Sequence, residues 1–163
     1  MEIIWQELSS GFANTEQLIR FTIRLTAAVI LGAMIGIERE RAGKEAGLRT
    51  HILVTLGTCS VVLACTGYEM TTEGLSRVIQ GIVTGIGFIG AGTILKLNEE
   101  RDIRGLTTAA GLWMTCGVGV AVGLGELALA LLCSLMTLIV LGVLGKVDAI
   151  KPVEHQNSVS REP

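Results

Sequence analysis

The residues with the most chemical potential in this chain lie in three short polar runs. These are Glu38-Arg39-Glu40-Arg41, the segment from Gly47 to His51, and the segment from Arg104 to Thr108. Arg49 and Arg104 each stand at the opening of an apolar stretch, beside Thr50, Thr107 and Thr108. Those hydroxyls are of the type that accepts from the free amides of a first helical turn. An arginine next to a helix N-terminus is also a seat for an anion, or for a carboxylate such as Glu38. Glu38, Arg39, Arg49, Thr50, Arg104, Thr107 and Thr108 therefore form a candidate polar site with two readings: salt bridges and caps that pin loops, or a seat for a ligand or partner.

Other chemistries find little to work with. A magnesium site wants several oxygen ligands, usually one or two carboxylates with retained waters, yet the apolar stretches after the first contain no Asp or Glu. Cys59, Cys65, Cys116 and Cys133 sit inside apolar blocks without CxxC spacing, and read as packing residues. His51 and His155 are the only histidines, and no nucleophile–base pair is visible. No metal site, cofactor or catalytic residue is assigned, and the expectation is a protein without enzymatic activity. A formal charge of −2 provides no basic reservoir for nucleic acid. Gly85 to Gly90 spells GxGxxG, but it lies mid-way along an apolar stretch rather than after a strand in a soluble βαβ unit, so a dinucleotide site is refused.

The elements that must position the polar runs are membrane helices. Half of the 163 residues are hydrophobic and only 17% are charged, with a mean hydropathy of +0.60. About 20 apolar residues span the hydrocarbon as a helix. Five stretches qualify: 17–37, 50–68, 78–97, 106–124 and 127–145. Gly125 and Glu126 alone separate the last two and must form a tight hairpin. The predicted architecture is all-α, a polytopic bundle of five transmembrane helices. Residues 1–16 form an interfacial segment, 17–145 the transmembrane domain and 146–163 a flexible cytosolic tail. The N-terminus has no basic n-region, so no cleaved signal peptide is expected. Ten of the 13 Lys and Arg residues fall in the 38–49 loop, the 96–105 region and the tail. The excess of cations on one side predicts an external N-terminus and a cytosolic C-terminus.

Two features need a reason. Arg24 must lie below the outer interface, because helix 1 would otherwise be too short to span. It shares a helical face with Arg20, so both should point into the bundle, with Glu126 and Glu73 as candidate partners, or else Arg24 snorkels without a function. Glycine is dense: Gly32 and Gly36 are four apart, Gly111, Thr115, Gly119 and Gly123 form a ridge, and Gly81, Gly85, Gly87, Gly90 and Gly92 crowd the third span. Small residues at this spacing let membrane helices approach closely. The GIGFIGAG run is denser than packing requires, which leaves a local break or a pore-lining stretch as the alternative.

Across the runs LGAMIGIERE (31–40), AGLRTHILVTLG (46–57), SRVIQGIVTGIGFIGAGTILK (76–96) and RGLTTAAGLWMTCGVGVAVG (104–123), the chain resembles the MgtC/SapB family of bacterial inner-membrane proteins. Its length resembles the short, SapB-like members that lack a C-terminal ACT-like domain. The resemblance implies a multi-pass protein of the bacterial inner (plasma) membrane. It also implies a role in adaptation to low magnesium, acid or host stress, including virulence. Partners would be the lipid bilayer, other membrane proteins and a second copy in a homodimer. Family motif residues fall on Arg24, Glu38, Arg39, Arg49, Thr50, Arg77, Arg104, Thr107, Thr108 and Trp113. The competing expectation is an ion channel or carrier related to Mg²⁺ transport, with the glycine-rich third helix lining the path.

Overall fold

The computed structural model describes residues 2–4, 15–66, 70–96 and 103–144. Five helices follow in order: α1 (Thr15–Arg41), α2 (Leu48–Thr66), α3 (Thr72–Gly92), α4 (Leu106–Leu124) and α5 (Leu127–Ile139), the last continuing into a π-helical turn over Val140–Leu144. One two-residue antiparallel ladder, β1 (Leu95–Lys96) with β2 (Ile103–Arg104), links α3 to α4, with Leu95 opposite Arg104. The fold is helical as expected. Among the described residues four helices are long and apolar enough to cross a membrane, and a fifth apolar helix is shorter. The chain is a membrane protein. Apart from residues 2–4 and the opening residues of α1, the expected interfacial segment lies outside the described residues, as does the tail.

The helix bounds differ from the apolar stretches where polar residues can still serve a helix. The polar run 38–41 continues α1 as its last turn, since only Gly43, at φ 65°, releases the chain. α3 starts six residues earlier than hydropathy predicts, because the Thr71 hydroxyl accepts from the Gly74 amide and caps it. It also ends earlier: Thr93 closes it, and 95–96 turn into the ladder. α4 has the predicted bounds. Gly105 and Gly125 bracket it, both at φ 93°, a conformation glycine adopts without strain. A side chain at Gly105 would also run into the Thr93 carbonyl.

The core of the bundle is α2 clasped between α1 and α4. Two glycine ridges allow this approach. A Cβ at Gly36 would lie 2.7 Å from the Leu48 Cα, and one at Gly32 would overlap the Thr55 hydroxyl. From the other side, a Cβ at Gly119 would lie 2.7 Å from the Thr55 carbonyl and one at Gly123 2.6 Å from the Val62 Cβ. In lipid, where burying apolar surface supplies no drive between helices, such contact is what holds them together. Ile35, Val62, Leu112, Val118 and Val122 fill the seams. α5 packs on α4 and α1, whereas α3 stands at the edge with only Ile86 and Gly90 buried.

Candidate polar site at one end of the bundle

The C-termini of α1 and α3 and the N-termini of α2 and α4 share one end of the bundle, so the three polar runs converge there. Arg39, on the last turn of α1, is 2% exposed. Its guanidinium grips the neighbouring Glu38 carboxylate in a fork, through Nε to Oε2 and through Nη2 to Oε1 at 2.7 Å. A charge buried this deeply requires such a pair. One residue on, the Glu40 carboxylate accepts from the Leu48 amide at 2.9 Å and so caps α2. The expected threonine caps are absent: the N-cap of α4 is Gly105, without a side-chain bond.

Instead the Thr108 hydroxyl, 1% exposed, donates to Glu45 in the α1–α2 loop at 3.1 Å. The Glu45 carboxyl is held below its ordinary range, first by a backbone amide hydrogen bond and then by the Thr108 hydroxyl, with Lys44 and Arg104 adding smaller attractions. Glu45, Lys44, Arg104, Thr107 and Thr108 line an open polar hollow of about 500 Å³. Deeper, His51 and Thr115 are both fully buried. The Thr115 hydroxyl gives its hydrogen to the Gly111 carbonyl at 2.8 Å, so it accepts from Nδ1–H of His51 at 2.7 Å. That leaves His51 Nε2 as an acceptor with no hydrogen-bond partner among the described residues.

The seven residues grouped from the sequence thus occupy three places. Glu38 and Arg39 form the buried fork, and Arg104, Thr107 and Thr108 line the polar hollow. Arg49 and Thr50 lie away from both, at a groove between α2 and α3. Glu40, Glu45 and the His51–Thr115 pair were not in that group. Glu45 lacks any sequence signal, because its partner is 63 positions away. Among the described residues no three His, Cys, Asp or Glu side chains come together as metal ligands would.

At the opposite end Arg24 is half-buried, and its partner is neither Glu126 nor Glu73. Its Nη1 donates to the Gly123 carbonyl at 2.9 Å, with the guanidinium against Gly125. Glu73 pairs with Arg77 at 2.6 Å, and Arg20 turns outward to Glu16 at 2.5 Å. Of the glycines crowding α3, Gly90 faces Ala109, whereas a Cβ at Gly81, Gly85, Gly87 or Gly92 would meet nothing within 4 Å. The GIGFIGAG run is unbroken helix.

A family model described as the MgtC family matches residues 25–150, which contain all three places and both glycine ridges. The chain belongs to the MgtC family. Among the curated relatives, YhiD of Escherichia coli (strain K12), by its name a candidate magnesium transporter, is 44% identical over 130 residues, covering 76% of this chain and 60% of YhiD. Protein MgtC of Salmonella typhimurium is 42% identical over 120 residues, 72% of this chain and 49% of that protein. Protein SrpB of Synechococcus elongatus is 37% identical over 131 residues, 74% of this chain and 72% of SrpB. The chain therefore spans about half to three-fifths of the first two relatives' length. No solved structure matches it.

Proposed function

We propose that this MgtC-family protein is a non-enzymatic component of the bacterial inner membrane that acts by contact with other membrane proteins, in adaptation to low magnesium, acid or host stress. In this reading the polar end faces the cytosol and the N-terminus lies outside. Arg39, Arg41, Lys44, Arg49 and Arg104 gather at that end, against Arg20 and Arg24 near the start of α1 and Arg77 near the start of α3.

The observation that carries the reading is the vacant face of α3. Gln80, Gly81, Thr84, Gly85 and Phe88 recur at three- and four-residue spacing and share one broad face. Phe88 is 86% exposed and Gly81 and Gly85 are open. The Gln80 amide has no partner among the described residues, a state that lipid penalises and a neighbouring helix relieves. On α1 and α4 the comparable glycine faces are filled by α2. A second copy, as a homodimer, or a different membrane protein supplies the missing helix. Gentle detergent extraction of the full chain should yield a dimer or a copurifying partner. Gly85→Leu should abolish that association while leaving the monomer folded, because its side chain points into open space. A lone monomer from the unsubstituted protein sinks the proposal.

The name of the E. coli relative supports a second reading, a channel or carrier for Mg²⁺ along α3. Arginines at a mouth repel cations, which weighs against it. Proteoliposomes with an internal Mg²⁺-sensitive dye separate the two: flux lost in folded Arg104→Ala establishes transport, and no flux above empty liposomes leaves the contact reading standing.

A further inference from the structure

Between α2 and α3, on a side of α3 distinct from its glycine face, runs an open groove of about 690 Å³. Its walls are aliphatic along their length, with Leu53 and Val61 from α2 facing Ile82, Ile86 and Ile89 from α3. Gly57 leaves the α2 wall bare at mid-length, since a Cβ there would meet nothing within 4 Å. The hydroxyl of Thr58 is committed to the Val54 carbonyl at 2.7 Å, so the groove interior offers no open polar demand.

The mouth is different. Arg49 and Thr50 stand there, at the polar end of the bundle. Arg49 is exposed, and among the described residues its guanidinium has neither an ion pair nor a hydrogen bond, although Glu38, Glu40 and Glu45 lie on neighbouring segments and are engaged elsewhere. Thr55, Thr58 and Thr66 all return their hydroxyl hydrogens to α2 carbonyls, whereas the Thr50 hydroxyl has no partner among the described residues. From Arg49 to Val61 the helix rises about 18 Å, close to half of the roughly 30 Å hydrocarbon. A cation and a hydroxyl at the interface above an apolar trough one leaflet deep match an anionic phospholipid: phosphate on Arg49 and Thr50, one acyl chain along the isoleucines.

We propose that the α2–α3 groove is a specific site for an anionic phospholipid of the leaflet at the polar end, whose phosphate charge, not neutralised by a headgroup ammonium as in phosphatidylethanolamine, is met by Arg49 and Thr50. The probe is phosphatidylglycerol added to the delipidated full chain in neutral detergent, with bound lipid counted by native mass spectrometry and the melting temperature followed in parallel. Phosphatidylethanolamine and inorganic phosphate are the comparison ligands. The expected result is one retained phosphatidylglycerol and a raised melting temperature, neither reproduced by the other two. Arg49→Gln should weaken that binding about tenfold, the scale of a lost charge-assisted hydrogen bond. Arg41→Gln, an exposed cation at the same end but outside the groove, should leave it unchanged. Gly57→Leu, whose side chain fills the trough, should displace the lipid, and its lipid-free melting temperature reports that it folds. Equal retention of phosphatidylethanolamine, an Arg49→Gln protein that binds as before, or an undiminished lipid count in folded Gly57→Leu each overturns the proposal. An equal response to inorganic phosphate overturns it too, replacing the lipid with a surface anion.

Discussion

At the scale of the residue, the charged groups inside this bundle are each answered by something specific. Arg24 meets the carbonyl of Gly123, one of the last four of α4, which have no partner within their helix. A cation there also faces the negative end of the α4 dipole. Replacing Arg24 by Met should destabilise the protein by about 1–2 kcal/mol in an unfolding titration, and Lys should restore part of the loss. Thr115→Val removes the acceptor of a buried His51 N–H and should cost about 1 kcal/mol. At Glu45 the contact is pH-dependent. Its folded value lies below that of the unfolded chain, so its contribution is complete at neutral pH. That contribution is lost as pH falls through the folded value, below the ordinary carboxylate range near about 4.3. Thr108→Val should move the Glu45 titration upward by NMR; an unmoved titration would mean the hydroxyl contributes nothing. Arginine counting pointed to Arg24 as an exception, but its partner is a backbone carbonyl, and main-chain acceptors have no residue type to betray them.

Among elements, one residue type does two different things. Glycine spacing on α1 and α4 was readable as a packing ridge, and there it brings α2 to backbone contact. The same spacing on α3 faces open space. Spacing reports that a face is small; which neighbour fills it depends on how three helices arrange, and no local pattern encodes that. The distinction is measurable. Gly119→Leu should overpack the α2–α4 seam at a cost of about 1–3 kcal/mol or more, whereas Gly85→Leu should leave monomer stability within about 0.5 kcal/mol. Element bounds follow a similar logic. α4 was legible because Gly105 and Gly125 mark both ends, while α3 was shifted because its start is set by the Thr71 cap rather than by hydropathy.

For the whole molecule, the clustering of cations at one end was legible because charge asymmetry is a property of loops, and loops are what helix counting delimits. The candidate site was less so. The polar runs were found, but their division into a buried fork, a hollow and a groove mouth arises from how α2 and α4 are rotated about their axes. The proposed orientation predicts that a cysteine at Lys44, in a cysteine-free background, is reached by a membrane-impermeant maleimide only in inverted vesicles. Labelling from the outer face would reverse the topology.

The helices are also unequal. α1 is 27 residues, about 40 Å, while α5 with its π turn runs from Leu127 to Leu144, about 27 Å at the same rise. The two pack against each other. Of α1 only residues 17–37 are apolar, about 32 Å, so its extra turn, Glu38–Arg41, stands past a hydrocarbon layer of roughly 30 Å, among the headgroups. Each ångström of misfit between an apolar stretch and the hydrocarbon costs a fraction of a kcal/mol, and here a charged turn lies at the boundary. A bilayer thicker by one turn would draw those charges into hydrocarbon, so membrane thickness itself bears on where this protein can reside.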